Sequence, residues 1–439
     1  MPKQKLPQTP EKTDNLLTYL RWRGDLTFAA APFCEVDNLV LAMDCYLNYE
    51  GVIPASFSEE PVLLASAVNG YLHKSEKEQH LGLIIPTDIR VLAKATAASA
   101  RFAGTKVIGY RNMIDESVQM QFCALTYLLP DDSIYIAFRG TDDTIVGWKE
   151  DFMLAFISPV PAQARAVAYL NEVAQAFPGR PIRVGGHSKG GNLSHYAAVY
   201  AEPQAQAAIV CAYSNDGPGF MPEFFQEPGY AAVERRLVSL VPQSSIVGVL
   251  LHHSNRFRVI HSTQRTIMQH DPFSWSVCGP KFVAERSRSD FGIRADIALD
   301  HWLDSMSMRE RTAFAECVFK VISASGAKTL TEMLEDKVNN LKLILRSFTR
   351  LKREDRDLVF DIIRRLLRAG RDVSPMPAPM LSADEMISRQ KAAALGTRKS
   401  KATRKTAKNK SGAVKTAPEK SKAKIEEITP DGAKPQETP

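Results

Sequence analysis

The run PIRVGGHSKGGNLSHYAAVYA at 181–201 constrains this chain more than any other segment. It reads as an apolar strand that passes straight into a helical pattern. Between the two lies G-x-S-x-G, as Gly186-His187-Ser188-Lys189-Gly190. The pentapeptide alone arises by chance in roughly one chain in ten of this length, so the flanks decide. A strand turning this sharply into a helix is the elbow that presents a nucleophile above a sheet. Side chains at 186 and 190 would clash in so tight a turn, and the serine takes a strained backbone conformation. It then stands at a helix N-terminus, where the helix dipole and the N–H of Lys189 stabilise an oxyanion. The plainer reading is a glycine-rich turn with a structural serine.

The surrounding pattern says what this elbow sits in. Helical spacing marks 14–23, stopped by Gly24, then 35–51, stopped by Gly51, and two more helices at 60–75 and 87–103. From Lys106 the period changes to two. The stretches 119–129 and SIYIAFRG flank the turn Pro130-Asp131-Asp132 as a hairpin-like pair. A helix at 161–177, the strand PIRVGG, a helix at 189–200, the strand AAIVCAYS and short strands at 237–241 and 256–260 follow. Strands alternating with helices predict an α/β chain with a mostly parallel sheet covered on both faces. From 297 to 369 the pattern is helical throughout and predicts two or three helices, either packed on the sheet or forming a small lobe. Ser307 with Glu310 and Thr329 with Glu332 have the spacing of capping boxes. Gly326 suits a helix stop, and Phe314, Cys317, Val318, Val321 and Ile322 form an apolar stripe of core type.

The net charge of +7 misleads as a whole-chain figure. Residues 389–439 hold 14 Lys+Arg against 5 Asp+Glu, which leaves the other 388 residues at −2. That tail, after the Pro-rich linker VSPMPAPM and a short helical pattern at 383–395, has almost no large apolar residues and is expected to be disordered, as are residues 1–13. The division expected is therefore 14–296 for the catalytic-type domain, 297–372 for a helical extension and 373–439 for linker and tail. Lacking aromatic residues, the tail is unsuited to base stacking. No specific nucleic-acid binding is expected of it, although its charge suits anionic surfaces. No segment is apolar enough to span a membrane, and the polar start lacks the core of a signal peptide, so a cytoplasmic location is expected. Six cysteines without C-x-x-C spacing read as reduced thiols.

The chemistry needs more than a serine. SIYIAFRGTDDTIVGWKED is a strand followed by a polar loop, from which Thr141 offers a backbone N–H and a hydroxyl as second oxyanion donor. Of nine histidines, His187 and His195 lie too close to the elbow to reach back to Ser188, and His252, His253 and His261 lie nearer the end of the sheet pattern. His270, in MQHDPFSW, follows the last strand and can serve as general base. Asp216, in SNDGPGF, follows a strand end and is the candidate acid, although an Asp-Gly turn explains it equally well. Asp271 adjoins His270 and is poorly placed to orient it. No Walker loop, G-x-G-x-x-G or H-E-x-x-H occurs, and no carboxylate or cysteine supports His252, His253 and His261 as metal ligands, so neither cofactor nor metal is expected.

At these residues the chain resembles known families. AFRGTDDTIVGW resembles the oxyanion segment of class 3 (fungal-type) lipases, with Thr141 at the oxyanion position and Trp148 at the following tryptophan. GGHSKGGNLSHYAA resembles their elbow, with Lys189 where they more often carry a small residue. From Asn15 to about Val277 the chain is similar to the bacterial Mbeg-like family of α/β-hydrolase-like proteins, through LLTYLRWRGDLTF, GHSKGGN, NDGPGF, SIVG and QHDPFSW. The resemblance implies an α/β-hydrolase fold and supports His270. It also implies an acid after the strand in RRLVSLVPQSSIVG, where this chain has Ser244 and Ser245 instead.

The expected function is a serine hydrolase of esterase or lipase type. It would act on a small acyl ester or lipid-like substrate, with the N-terminal helices and SIVGVLL lining an acyl pocket. The alternative is a catalytically inactive hydrolase fold kept for binding or scaffolding, which the missing acid favours. A third reading makes the basic tail the working part, as a tether.

Overall fold

The computed structural model describes residues 14–75, 81, 85–154, 157–254 and 257–372, so the readings made for 1–13, for the linker and tail and for 383–395 lie outside the described residues. The described residues fall in one compact unit. The N-terminal helices are α1 (Leu16–Arg23) and α2 (Glu35–Asp44), then α3 (Leu64–Leu72) and α4 (Asp88–Ala98). The Asn15 side chain caps α1 by accepting from the N–H groups of Leu17 and Thr18, and Gly24 ends it, as the sequence predicts. Helix α2 stops well short of Gly51. The chain instead turns back after Asp44, whose buried carboxylate accepts hydrogen bonds from the hydroxyls of Tyr49 at 2.9 Å and Tyr127 at 2.8 Å. Tertiary partners override local helical spacing here.

Eight strands form one sheet in chain order: β1 (Val62–Leu63), β2 (Lys106–Asp115), β3 (Met120–Leu128), β4 (Ile134–Phe138), β5 (Ile182–His187), β6 (Ile209–Asn215), β7 (Leu237–Pro242) and β8 (Phe257–Ile260). Pairing is antiparallel from β1 to β4 and parallel from β4 to β8. The parallel connections carry α5 (Ile145–Leu154), α6 (Pro161–Ala176), α7 (Lys189–Tyr200), α8 (Pro203–Ala208) and α9 (Pro228–Val233). Right-handed crossovers between neighbours that advance in one direction place their helices on one face. The other face has to be covered from elsewhere, and the N-terminal helices do so. Strand β4 displays both sides. Ile134, Ile136 and Phe138 join a core with α6 and α7, while Tyr135 and Ala137 join a core with α1–α4. This is the α/β-hydrolase architecture expected from the sequence.

After the sheet come α10 (Asp290–Asp304), α11 (Met308–Ser323), α12 (Leu330–Glu335), α13 (Lys337–Arg350) and α14 (Arg353–Asp372). Five helices replace the two or three expected. The Ser307–Glu310 box is formed, Gly326 follows α11 at φ 75°, and Thr329 caps α12. Asp336, not recognised in the sequence, caps α13 by accepting from the Asn339 N–H. Phe314, Cys317 and Val321 of α11 are buried with Leu303, Val359 and Ile362 of the flanking helices. The start of α12 is bound to the loop after β4: Leu330 N–H donates to Asp143 O and Ile145 N–H to Lys328 O, both at 2.9 Å.

Candidate active site

Ser188 sits between β5 and α7 with φ 59° and ψ −132°, a conformation costly for any residue with a Cβ. The surroundings hold it there. Its N–H donates to Asn215 O at 3.0 Å, and its carbonyl accepts from Gly191 N–H at 2.9 Å. A Cβ on Gly190 would lie 2.0 Å from the Phe138 carbonyl oxygen, and one on Gly186 would lie 2.3 Å from the Gly190 carbonyl carbon. Both positions therefore require glycine because the elbow packs directly onto the end of β4.

The loop after β4 carries Thr141 beside the elbow. Its hydroxyl donates to the Asp151 carboxylate on α5, so the hydroxyl expected as an oxyanion donor is already engaged and the backbone N–H is what Thr141 has to offer. Burial pushes Asp151 up to about 6, against the opposing pull of Lys189 and of the Thr141 hydroxyl. The Lys189 ammonium is wholly buried. It donates to Gln121 O at 2.9 Å, to Gln121 Oε1 at 2.6 Å and to Glu150 Oε2 at 3.0 Å. Glu150 also accepts from the N–H groups of Gln121 and Ala162. A lysine in place of a small residue is thus matched by a buried carboxylate on α5 and a glutamine on β3. Removing either partner of such a pair strands a charge, at about 3–5 kcal/mol.

The candidate acid follows β6 and the candidate base follows β8. His270 ends a short 3-10 turn, Thr266–His270. Its Nδ1 lies 2.7 Å from Asp216 Oδ2. A carboxylate only accepts, so Nδ1 carries a hydrogen, and in the neutral ring Nε2 keeps its lone pair. Asp216 is fully buried at the end of β6, with φ 53°, and its N–H donates to Leu240 O at 2.8 Å. Its other oxygen accepts from Ser245 Oγ at 2.6 Å, and Ser245 Oγ accepts in turn from Gly248 N–H at 2.8 Å. The serine found where the lipase resemblance implies an acid therefore supports an acid supplied by the neighbouring strand.

His187, beside the elbow, is engaged with the backbone of His270. Its Nε2 donates to the His270 carbonyl at 2.8 Å and its ring centroid lies 4.4 Å from that of His270. Burial holds its pKa well below the ordinary histidine value, so it acts as a neutral prop. Trp275 Nε1 donates to Gln269 O at 2.8 Å and braces the same turn. Asp271 caps the following turn by accepting from Phe273 N–H. His195 is buried in α7, and His261 pairs with Glu285 at 2.7 Å. Among the described residues no cluster has the make-up of a metal site.

Ser188, Thr141 and His270 open into one cavity of about 630 Å³ with mainly apolar walls. Met43 and Tyr46 from the N-terminal region and Val247 and Leu250 from the SIVGVLL stretch line it, as the sequence suggests. Trp148 and Phe152 of α5 and Phe319 of α11 also line it. Phe319 escaped the sequence reading because it lies beside the stripe that marked α11 as core.

A sequence profile described as Mbeg1-like matches residues 96–320, just over half of the chain. The match reaches into α11, beyond the stretch that the motifs suggest, and begins within α4. No curated protein matches. Among solved structures, the Rhizomucor miehei lipase propeptide complex is 18% identical, with 41% of this chain and 68% of that one covered at a TM-score of 0.29. The lipase of Rhizopus microsporus var. chinensis is 15% identical, covering 60% and 84% at 0.31. Lip2 lipase of Yarrowia lipolytica is 13% identical, covering 45% and 78% at 0.30.

Proposed function

The chain belongs to the Mbeg1-like family, and from that premise we propose that it is a serine hydrolase of esterase or lipase type. The observation that carries the reading is the 2.7 Å bond between His270 Nδ1 and the buried Asp216 carboxylate, in the cavity that Ser188 enters. With Nδ1 protonated, Nε2 of His270 accepts the Ser188 proton as Oγ attacks an acyl carbon. Asp216 stabilises the imidazolium that results. The N–H groups of Lys189, in the first turn of α7, and of Thr141 hold the oxyanion. His270 returns the proton to the leaving alcohol, then activates a water that releases the acid. An apolar cavity of this size suits an acyl chain rather than a charged substrate.

The binding-module alternative drew on the lack of an acid after β7. Asp216, backed by Ser245, takes away that ground. A fluorophosphonate probe tests the proposal. Labelling of the wild type, lost in Ser188→Ala and in His270→Ala, is the expected result. A folded wild type that takes no label would sink it.

A further inference from the structure

Single apolar side chains on a surface are ordinary. The end of this chain has something else. On α13, Val338, Leu341 and Leu345 are exposed, and on α14 so are Phe360, Ile363 and Leu367, at fractions between 43 % and 67 %. Both sets are spaced i, i+3, i+7, so each forms one stripe along its helix. The helices meet where the rings of Phe348 and Phe360 pack edge to face at 5.4 Å. Their inward sides are already used: Ile344 and Phe348 of α13 are partly buried, and Val359 and Ile362 of α14 buried, in the core with α10 and α11. The exposed stripes are therefore additional to the face that folding needs.

Charge says what would cover them. Lys342, Arg346 and Arg350 are exposed along α13, and Arg364, Arg368 and Arg371 along α14. Residues 337–372 hold 11 Lys+Arg against 5 Asp+Glu. Of the acids of α14, Glu354, Asp355 and Asp357 lie in its first turns, Asp361 is bound to Arg365 and Asp372 ends the helix. We propose that α13 and α14 dock on an anionic lipid surface, with the six apolar side chains entering the interface and the arginines and lysine lying at headgroup level. The chain's own C-terminal stretch is a poor cover, since it is strongly basic and like charges repel. That same charge adds to the attraction of an anionic bilayer. Through the bonds of Leu330 and Ile145, α12 ties this end of the molecule to the loop that bears Thr141.

The test is co-sedimentation of the full chain with phosphatidylcholine vesicles, with and without about one third phosphatidylglycerol. It reads bound mass, not turnover, so a Ser188→Ala chain gives the same answer and the hydrolase reading is not at stake. Binding at least tenfold tighter to the anionic vesicles is expected. Leu341→Gln, Leu345→Gln, Ile363→Gln and Leu367→Gln together should weaken it at least tenfold, and these exposed positions leave the fold intact. Arg364→Glu with Arg368→Glu should weaken it as well. Binding undiminished in the apolar variant would overturn the proposal, because the basic tail would then suffice. So would equal binding to both vesicles, or a dimer in sedimentation that the apolar variant abolishes, since a second copy would then own the face.

Discussion

The two halves of the site are built in different ways. On the nucleophile side, β5, Ser188 and α7 are contiguous in sequence, and the elbow is locked by backbone against backbone at Gly186, Gly190 and Phe138. On the acid–base side, Asp216, Ser245 and His270 follow three different strands and meet only through side-chain hydrogen bonds. The first side is inseparable from the fold. The second is an assembly laid over a fold that exists without it. Catalytic geometry can therefore be lost on one side at the expense of the whole molecule and on the other at the expense of rate alone.

Substitutions should divide along this line. Asp216→Asn is expected to lower kcat for an activated ester about ten-thousand-fold, through loss of the correct tautomer, while the melting temperature barely moves. A collapse of the fold instead would erase the distinction. Gly190→Ala belongs to the other class. Its Cβ would fall 2.0 Å from Phe138 O, and a loss of about 3 kcal/mol in unfolding free energy is expected from denaturant titration. If its stability were unchanged, the elbow would not be part of the scaffold. The smallest effect sharpens the comparison. Ser245→Ala removes one hydrogen bond to a buried carboxylate and should slow turnover about tenfold to thirtyfold, for a loss of about 1.5–2 kcal/mol. KM should stay the same, while folding stability should fall by about 1–3 kcal/mol because the Gly248 N–H also loses its acceptor.

The same division decided what the sequence could reveal. Helix α7 appears with the limits expected and strand β5 within one residue of them, because period, glycines and helix start lie within one short window. Asp216 could not be told from a turn residue by inspection. What distinguishes it is Ser245, 29 residues away in the chain, which no local pattern connects to it. Thr141 was placed correctly in its loop, yet the engagement of its hydroxyl depended on Asp151 on the next helix. The roles of His187 and Phe319 were missed for the same reason. His187 was set aside as too near the nucleophile to be the base, and its position is what lets it hold the base's backbone. The predicted length of α2 failed because a tyrosine on another strand helps turn the chain at Asp44.

The sheet has one more consequence, for the order of synthesis. Its spatial order, β1 to β8, is also its chain order. A sheet of this kind can grow from one edge as the polypeptide leaves the ribosome, each strand finding its neighbour already made. Ser188 then emerges 82 residues before His270, an interval of about 4–16 s at ordinary elongation rates. Through that interval the nascent chain holds Ser188 without His270, so on the proposed chemistry the serine gains its base only when β8 has been added and the turn beyond it closes.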